Sequence, residues 1–181
     1  MRRRRAKAAR NALDVAIREV TPGEYTEAGR VTADAYREFV RPGDDDWARY
    51  LETLGDVAGR AGRTSVLVAI DATGILGTAT LELDGHVEED PQEDGRLAAH
   101  EARIRMLGVS PQARGRGIAR QLMVACEARA LEAGRTVMTL NTTERMQAAQ
   151  RMYEALGYER GDDRVFPDGF VLLSYAKHLS P

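Results

Sequence analysis

The stretch Leu107-Gly108-Val109-Ser110-Pro111-Gln112-Ala113-Arg114-Gly115-Arg116-Gly117-Ile118-Ala119 holds the most readable chemistry in this chain. Its apolar start reads as a strand, its Gly/Arg centre as a tight turn and its end as the opening of a helix. Gly115 and Gly117 let the backbone come close to a ligand. The helix start offers N–H groups with no partner inside the helix, at the positive end of its dipole. That combination holds anions. Arg114, Arg116 and Arg120 add formal charge, which favours a diphosphate over a carboxylate. Two phosphate loops are excluded: no G-x-x-x-x-G-K-[ST] occurs, and Arg120 stands where G-x-G-x-x-G needs its third glycine. The bland alternative is a solvated basic turn, since Gly/Arg turns are common.

The elements that must position this turn follow from periodicity. Val15 to Val20 alternates as a strand, and Thr21-Pro22 opens a helix that reaches about Val40, where Pro42-Gly43 ends it. Asp44 to Ala61 reads as a second helix, through Trp47, Tyr50, Leu51, Leu54 and Val57. Thr64 to Ile70 and Ile75 to Leu83 are β-rich and flank Asp71-Ala72-Thr73-Gly74, a hairpin turn with glycine where positive φ is needed. Asp84 to about Ala98 reads as a loop, followed by a strand through Ile104, Met106, Leu107 and Val109. A helix from about Gly117 to Ala133 places Ile118, Leu122, Cys126 and Ala130 on one face and closes at Gly134. Thr136 to Leu140 is a strand, Thr142 or Thr143 caps a helix ending at Leu156-Gly157, and strands centred near Glu159 and Leu172 finish the chain. The order βααββ then βαβαββ predicts an α/β fold of the α+β type: a mixed, mostly antiparallel, twisted sheet flanked by helices, with one parallel pair.

Composition bounds the partners. With 181 residues, 43% hydrophobic and 30% charged, the chain affords one packed domain, and disorder, fibrous and disulfide-scaffold classes are excluded. One cysteine and three histidines allow no internal disulfide and no zinc spacing, so a metal is not expected. No apolar run reaches the roughly 18 residues of a membrane span, so the expectation is a cytoplasmic protein without a membrane partner. The formal net charge of -2 hides an asymmetry: the first ten residues carry +6, through Arg2 to Arg5, Lys7 and Arg10, leaving -8 on the rest. Residues 1–13 are read as a basic flexible arm and 14–181 as the domain. No aromatic residues interleave the arginines, so nucleic acid is not expected as a partner. Glu82, Asp84, Glu88, Glu89, Asp90, Glu93 and Asp94 form an acidic run that would attract a cationic partner if it lay beside an active site.

Two motifs together give a resemblance. Arg114, Gly117 and Ala119 meet [QR]-x-x-G-x-[GA], and Asn141-Thr142-Thr143 followed by Met146 to Tyr158, ending in Tyr153-Glu154-Ala155-Leu156-Gly157-Tyr158, resembles a strand and helix closing in Y-x-x-L-G-[FY]. Over about Ala16 to Lys177 the chain resembles the GNAT superfamily of acetyl-CoA-dependent N-acetyltransferases. The resemblance implies a single GNAT-like domain that moves an acetyl group from acetyl-CoA to a primary amine by direct attack in a ternary complex. It also implies a cofactor in a V-shaped gap between the fourth and fifth strands. The pantetheine arm would pair with backbone groups of Leu107, Gly108 and Val109, and the pyrophosphate with N–H groups of Arg114, Gly115, Arg116, Gly117, Ile118 and Ala119. The Leu107 N–H would face the thioester carbonyl, a donor worth roughly 3 kcal/mol. Asn141 would hydrogen-bond the pantetheine from the other side.

The same resemblance makes Tyr153 the acid that protonates the departing thiolate. Its place in the stripe Met146, Ala149, Tyr153, Leu156 also fits an ordinary core tyrosine. The base departs from the pattern. Arg103 stands where many relatives carry glutamate, and an arginine cannot take a proton. Glu101, two residues earlier on the same strand face, is the first replacement; Glu82 and a water chain to the acidic loop come next, and an exposed charge at a strand start explains Glu101 equally well. His100 is read as a surface residue and Cys126 as core. A non-catalytic acyl-CoA-binding or sensing module of the same fold is the alternative, an RNA-associated protein guided by the arm a third reading, and a homodimer is left open. The acceptor, a small-molecule or peptide amine, is expected to be cationic if the acidic run borders the site.

Overall fold

A computed structural model describes residues 15–41, 43, 45–84, 97–167 and 169–180. The basic arm and most of the acidic loop, including Glu88, Glu89 and Asp90, lie outside the described residues. In chain order the elements are β1 (Ala16–Glu19), α1 (Tyr25–Tyr36), α2 (Asp45–Gly55), α3 (Val57–Ala61), β2 (Ser65–Asp71), β3 (Gly74–Glu82), β4 (Glu101–Val109), α4 (Ile118–Glu132), β5 (Val137–Thr143), α5 (Gln147–Ala155), β6 (Glu159–Arg160), β7 (Arg164–Val165) and β8 (Val171–His178). The strands run in hydrogen-bonded order β1-β2-β3-β4-β5-β8-β6, with β7 also on β8. This is a mixed α/β fold with an open, mostly antiparallel sheet, as the sequence predicts. Strand β4 pairs parallel with β5, from Glu101↔Val137 to Ile104↔Leu140.

The chain divides into two compact units, residues up to 80 with 106–123, and residues 81–105 with 124 onward. In the first, β1 pairs antiparallel with β2 from Ala16↔Ile70 to Glu19↔Leu67. Val20, Ala28, Val31, Val57, Val66, Val68 and Ile75 form its core, with Tyr25, Ala61 and Ile70 packed against them. Burying such aliphatic side chains is the main stabilising term, at roughly 1.5–3 kcal/mol for each one fully removed from water. A Cβ at Gly29 would stand 2.0 Å from the Gly55 carbonyl oxygen, so the lack of a side chain at Gly29 lets α1 and the end of α2 touch backbone to backbone.

In the second unit β5 pairs antiparallel with β8 from Val137↔His178 to Thr143↔Leu172, and β6 and β7 add to the other edge of β8. Glu127 joins helix to strand, accepting from the Tyr158 hydroxyl at 2.9 Å and the Lys177 ammonium at 2.8 Å.

Three sequence expectations are corrected. The helix expected from Asp44 to Ala61 breaks at Asp56, whose Oδ1 accepts from Gly59 N at 2.8 Å and caps α3. The buried Arg60 then satisfies the carbonyls left at the break, donating to Thr53 O, Leu54 O and Asp56 O. The first helix is α only from Tyr25 to Tyr36, with 3₁₀ turns at Pro22–Glu24 and Arg37–Phe39. Thr142 and Thr143 do not cap α5: both stay in β5, opposite Leu173 and Leu172, and the helix begins after Met146.

Candidate functional site

The Gly/Arg turn lies wholly in the first unit. Ser110 N donates to Leu76 O at 2.8 Å, tying the end of β4 to β3, and Pro111–Ala113 form a 3₁₀ turn that buries Ala113. Gly115 and Gly117 follow at φ +75 each, in the left-handed region where a side chain is strained. Chain neighbours aside, no atom of the described residues lies within 4 Å of a Cβ built on either, so that side of their backbone faces open space. Ile118, 2% exposed, anchors the first turn of α4 in the core, and Gln121 N donates to Gly117 O at 3.1 Å. The N–H groups before Gln121 therefore sit at a helix start above two bare glycines, the geometry an anion needs.

The two arginines of the turn are held by carboxylates. Arg114 donates to Glu38 at 2.7 and 3.1 Å and to Ala35 O at 3.4 Å. Arg116 donates to Asp71 Oδ2 at 2.8 Å. Hydrogen bonds from the Thr73 hydroxyl, then from Arg116 and the Thr73 N–H, hold the Asp71 carboxyl at about 2, well below its usual range. With their charge matched in this way, the turn offers an anion chiefly backbone N–H groups. Beside it, a cavity of about 260 Å³ is lined by Arg30, Val31, Asp34 and Arg37 of the first helical stretch and by Ser110, Pro111 and Gln112.

Before the turn, Leu107 and Val109 are half-buried and alternate with buried Met106 and Gly108. Met106, at φ +50, is the one described non-glycine residue with positive φ, a local break in the regularity of β4. Gly108 serves packing: a Cβ there would stand 3.0 Å from the Ala35 Cβ, and one at Gly77 would stand 2.8 Å from the Gly108 carbonyl oxygen.

The second unit holds the other candidates. Glu101 opens β4, and its Oε2 accepts from Ala98 N at 3.0 Å. Glu82 is buried and accepts from Arg105 at 3.0 Å in an ion pair whose side chains are 3% and 10% exposed. His100 is exposed, and its carbonyl accepts from Thr136 N and Val137 N. Asn141 stands exposed on β5, one residue past the last parallel pair, with Oδ1 accepting from Ser174 Oγ at 3.1 Å. It is within β5 rather than at its end. The next two hydroxyls, of Thr142 and Thr143, are buried and have no hydrogen-bond partner among the described residues. Tyr153 lies in α5 at 6% exposure, its ring 6.1 Å from that of Tyr158 and 5.8 Å from that of Tyr175. Burial pushes its hydroxyl pKa above the usual phenol range. Burial likewise pushes the Cys126 thiol up to about 12, which removes it as a nucleophile at neutral pH. No cluster of His, Cys, Asp and Glu suited to a metal ion occurs among the described residues.

Sequence reasoning missed Asp71, Glu38 and the Glu82–Arg105 pair. Asp71-x-Thr73 signals an Asx turn in sequence, but nothing local signals the arginine 45 residues away.

Residues 29–158 match the Acetyltransferase (GNAT) family. No curated protein matches the chain in sequence. Among solved structures, yncA from Salmonella typhimurium, solved with its cofactor acetyl-CoA, superposes with a TM-score of 0.65 at 17% identity, over 92% of this chain and 95% of that one. A GNAT-family acetyltransferase from Staphylococcus aureus Mu50 gives 0.67 at 19%, over 92% and 99%. The ribosomal-protein-alanine N-acetyltransferase of Brucella melitensis gives 0.61 at 22%, over 91% and 99%. At these identities the likeness is one of fold.

Proposed function

The chain belongs to the GNAT acetyltransferase family, and from that membership we propose that it transfers an acetyl group from acetyl-CoA to a primary amine by direct attack in a ternary complex. The observation that carries the proposal is the turn from Arg114 to Gly117: two left-handed glycines with open space above them at the start of a buried-anchored helix. A diphosphate fits that backbone. In this reading the N–H groups of Arg114 through Ala119 hold the pyrophosphate, the backbone of Leu107, Gly108 and Val109 pairs with the pantetheine, and Asn141 adds a side-chain hydrogen bond to it. The orphaned hydroxyls of Thr142 and Thr143 are polar groups that a bound ligand could satisfy.

The chemistry asks for three functions from the chain. The Leu107 N–H stabilises negative charge as it develops on the thioester oxygen. Tyr153, kept protonated by its burial, donates a proton to the departing thiolate sulfur. An alkylammonium with a pKa near 10.4 must lose a proton before attack, and Glu101 is the proposed acceptor of it. Its link to Ala98 N would have to loosen for that.

A second reading, an acyl-CoA binder without turnover, is favoured by one observation. Arg103 stands where many relatives carry glutamate, and the two replacement candidates, Glu101 and Glu82, are already engaged by Ala98 N and Arg105. The experiment that separates the readings measures thiol release from acetyl-CoA across a panel of amines, peptides and aminoglycosides, beside calorimetry of coenzyme A. Binding at micromolar affinity, about -8 kcal/mol, with acetylation of some amine is expected. Binding without turnover of any amine would favour the second reading. Gly117→Trp should abolish binding by filling the phosphate path. Unchanged binding by that folded variant would show that the diphosphate lies elsewhere.

A further inference from the structure

We propose that Asp71 is a positioning residue for the coenzyme A diphosphate: it holds Arg116 and so fixes the backbone N–H groups of the glycine turn in their binding geometry. The inference rests on the acetyl-CoA reading of that turn. Arg116 stands between Gly115 and Gly117, both exposed and both at φ +75. Glycines make such a conformation accessible and, for the same reason, make the turn soft. A side-chain hold on the residue between the two glycines runs from Arg116 Nη2 to Asp71 Oδ2, at 2.8 Å.

The holder is itself fixed. Asp71 Oδ1 accepts from the Thr73 N–H at 2.8 Å and from the Thr73 hydroxyl at 2.5 Å, inside the β2–β3 hairpin turn. The Asp71 side chain is 8% exposed and that of Arg116 30%, against 47% and 43% for Glu38 and Arg114. A half-exposed pair such as Glu38–Arg114 contributes little, whereas a pair whose carboxylate is shielded and whose guanidinium is only partly exposed is screened less by water. The Asp71 carboxyl stays ionised throughout the neutral range, so the hold does not depend on pH there. A turn fixed before the ligand arrives loses less freedom on binding, and this shows as affinity for the cofactor rather than as rate of the chemical step.

The test compares the wild type with Asp71→Asn, Thr73→Val, Arg116→Gln and the Asp71→Asn/Arg116→Gln double variant. Coenzyme A affinity is read by calorimetry, melting by circular dichroism, and kinetics with the best amine of the panel. Asp71→Asn keeps an oxygen for Thr73 but removes the charge. It should raise Kd for coenzyme A and KM for acetyl-CoA about tenfold, with kcat within about twofold, as expected for a charged hydrogen bond. Thr73→Val, which loosens the holder alone, should raise Kd about threefold, and Asp71→Asn should add nothing in the Arg116→Gln background. An unchanged Kd in Asp71→Asn, additive effects in the double variant, or a kcat that falls as far as kcat/KM would overturn the role. If Asp71→Asn does not fold, Thr73→Val decides, a raised Kd supporting the role and a wild-type Kd refuting it. A wild type that binds no coenzyme A would overturn the acetyl-CoA reading, and this inference with it.

Discussion

Tyr153 packs through its ring, while the chemistry proposed for it would fall to its hydroxyl. Its ring packs near those of Tyr158 and Tyr175, contacts any stable core would keep. Its hydroxyl has no hydrogen-bond partner among the described residues, and burial keeps the proton on it at working pH. Tyr153→Phe preserves the ring contacts and removes only the hydroxyl. The turnover number should fall by on the order of 10-fold to 100-fold while coenzyme A binding stays nearly unchanged. Steady-state kinetics beside calorimetry check this, and equal turnover by the two proteins would leave the residue to the core alone. The sequence shows Tyr153 at a core spacing and, by resemblance, at a catalytic one. It could not show the depth of burial of Tyr153, because that depends on β8, which reaches Tyr153 through Tyr175.

Among the elements, those punctuated by glycine were legible. Gly74 at φ +117 turns the β2–β3 hairpin, and Gly134 and Gly157 at φ +75 and +84 follow the ends of α4 and α5, where the sequence places them. The break between α2 and α3 was not legible, since Asp56 keeps helical spacing and Arg60 reads as a surface charge. The extent of β5 was hidden because threonine suits a cap and a strand equally, and pairing with β8 decides between them. Gly29 carries a prediction at this scale. With the Gly55 carbonyl 2.0 Å from where a Cβ would stand, Gly29→Ala should force α1 and α2 apart, lowering unfolding free energy by about 1–3 kcal/mol despite alanine's better helix propensity. Urea titration measures it, and a stabilised variant would contradict the packing described.

For the whole molecule the balance of charge matters more than any one pair. With -8 outside the first ten residues and an acidic run from Glu82 to Asp94, the field should favour cationic acceptors if that run borders the acceptor end of the proposed site. Polyamine-like, aminoglycoside-like or lysine-rich amines should outperform neutral and anionic ones. Neutralising Glu88, Glu89 and Asp90 together should raise KM for a cationic amine and leave that for acetyl-CoA alone. The difference should shrink with added salt, as screening over about 8 Å at physiological ionic strength requires. A preference for anionic amines, or a triple variant with wild-type kinetics across the salt series, would end the steering idea without touching the acetyl-CoA assignment.

The chain's single cysteine has a practical consequence of another kind. Cys126 is fully buried, and its thiol ionises only near 12, so the folded protein presents no thiolate to a colorimetric disulfide reagent. An assay that counts coenzyme A by its free sulfhydryl therefore starts from a blank baseline, with no need to engineer the residue away. One equivalent of colour per chain should develop only in denaturant. Without denaturant, the slow creep of labelling becomes a clock for how often α4 opens to solvent. Immediate native labelling would mean that this side of α4 is not sealed as described.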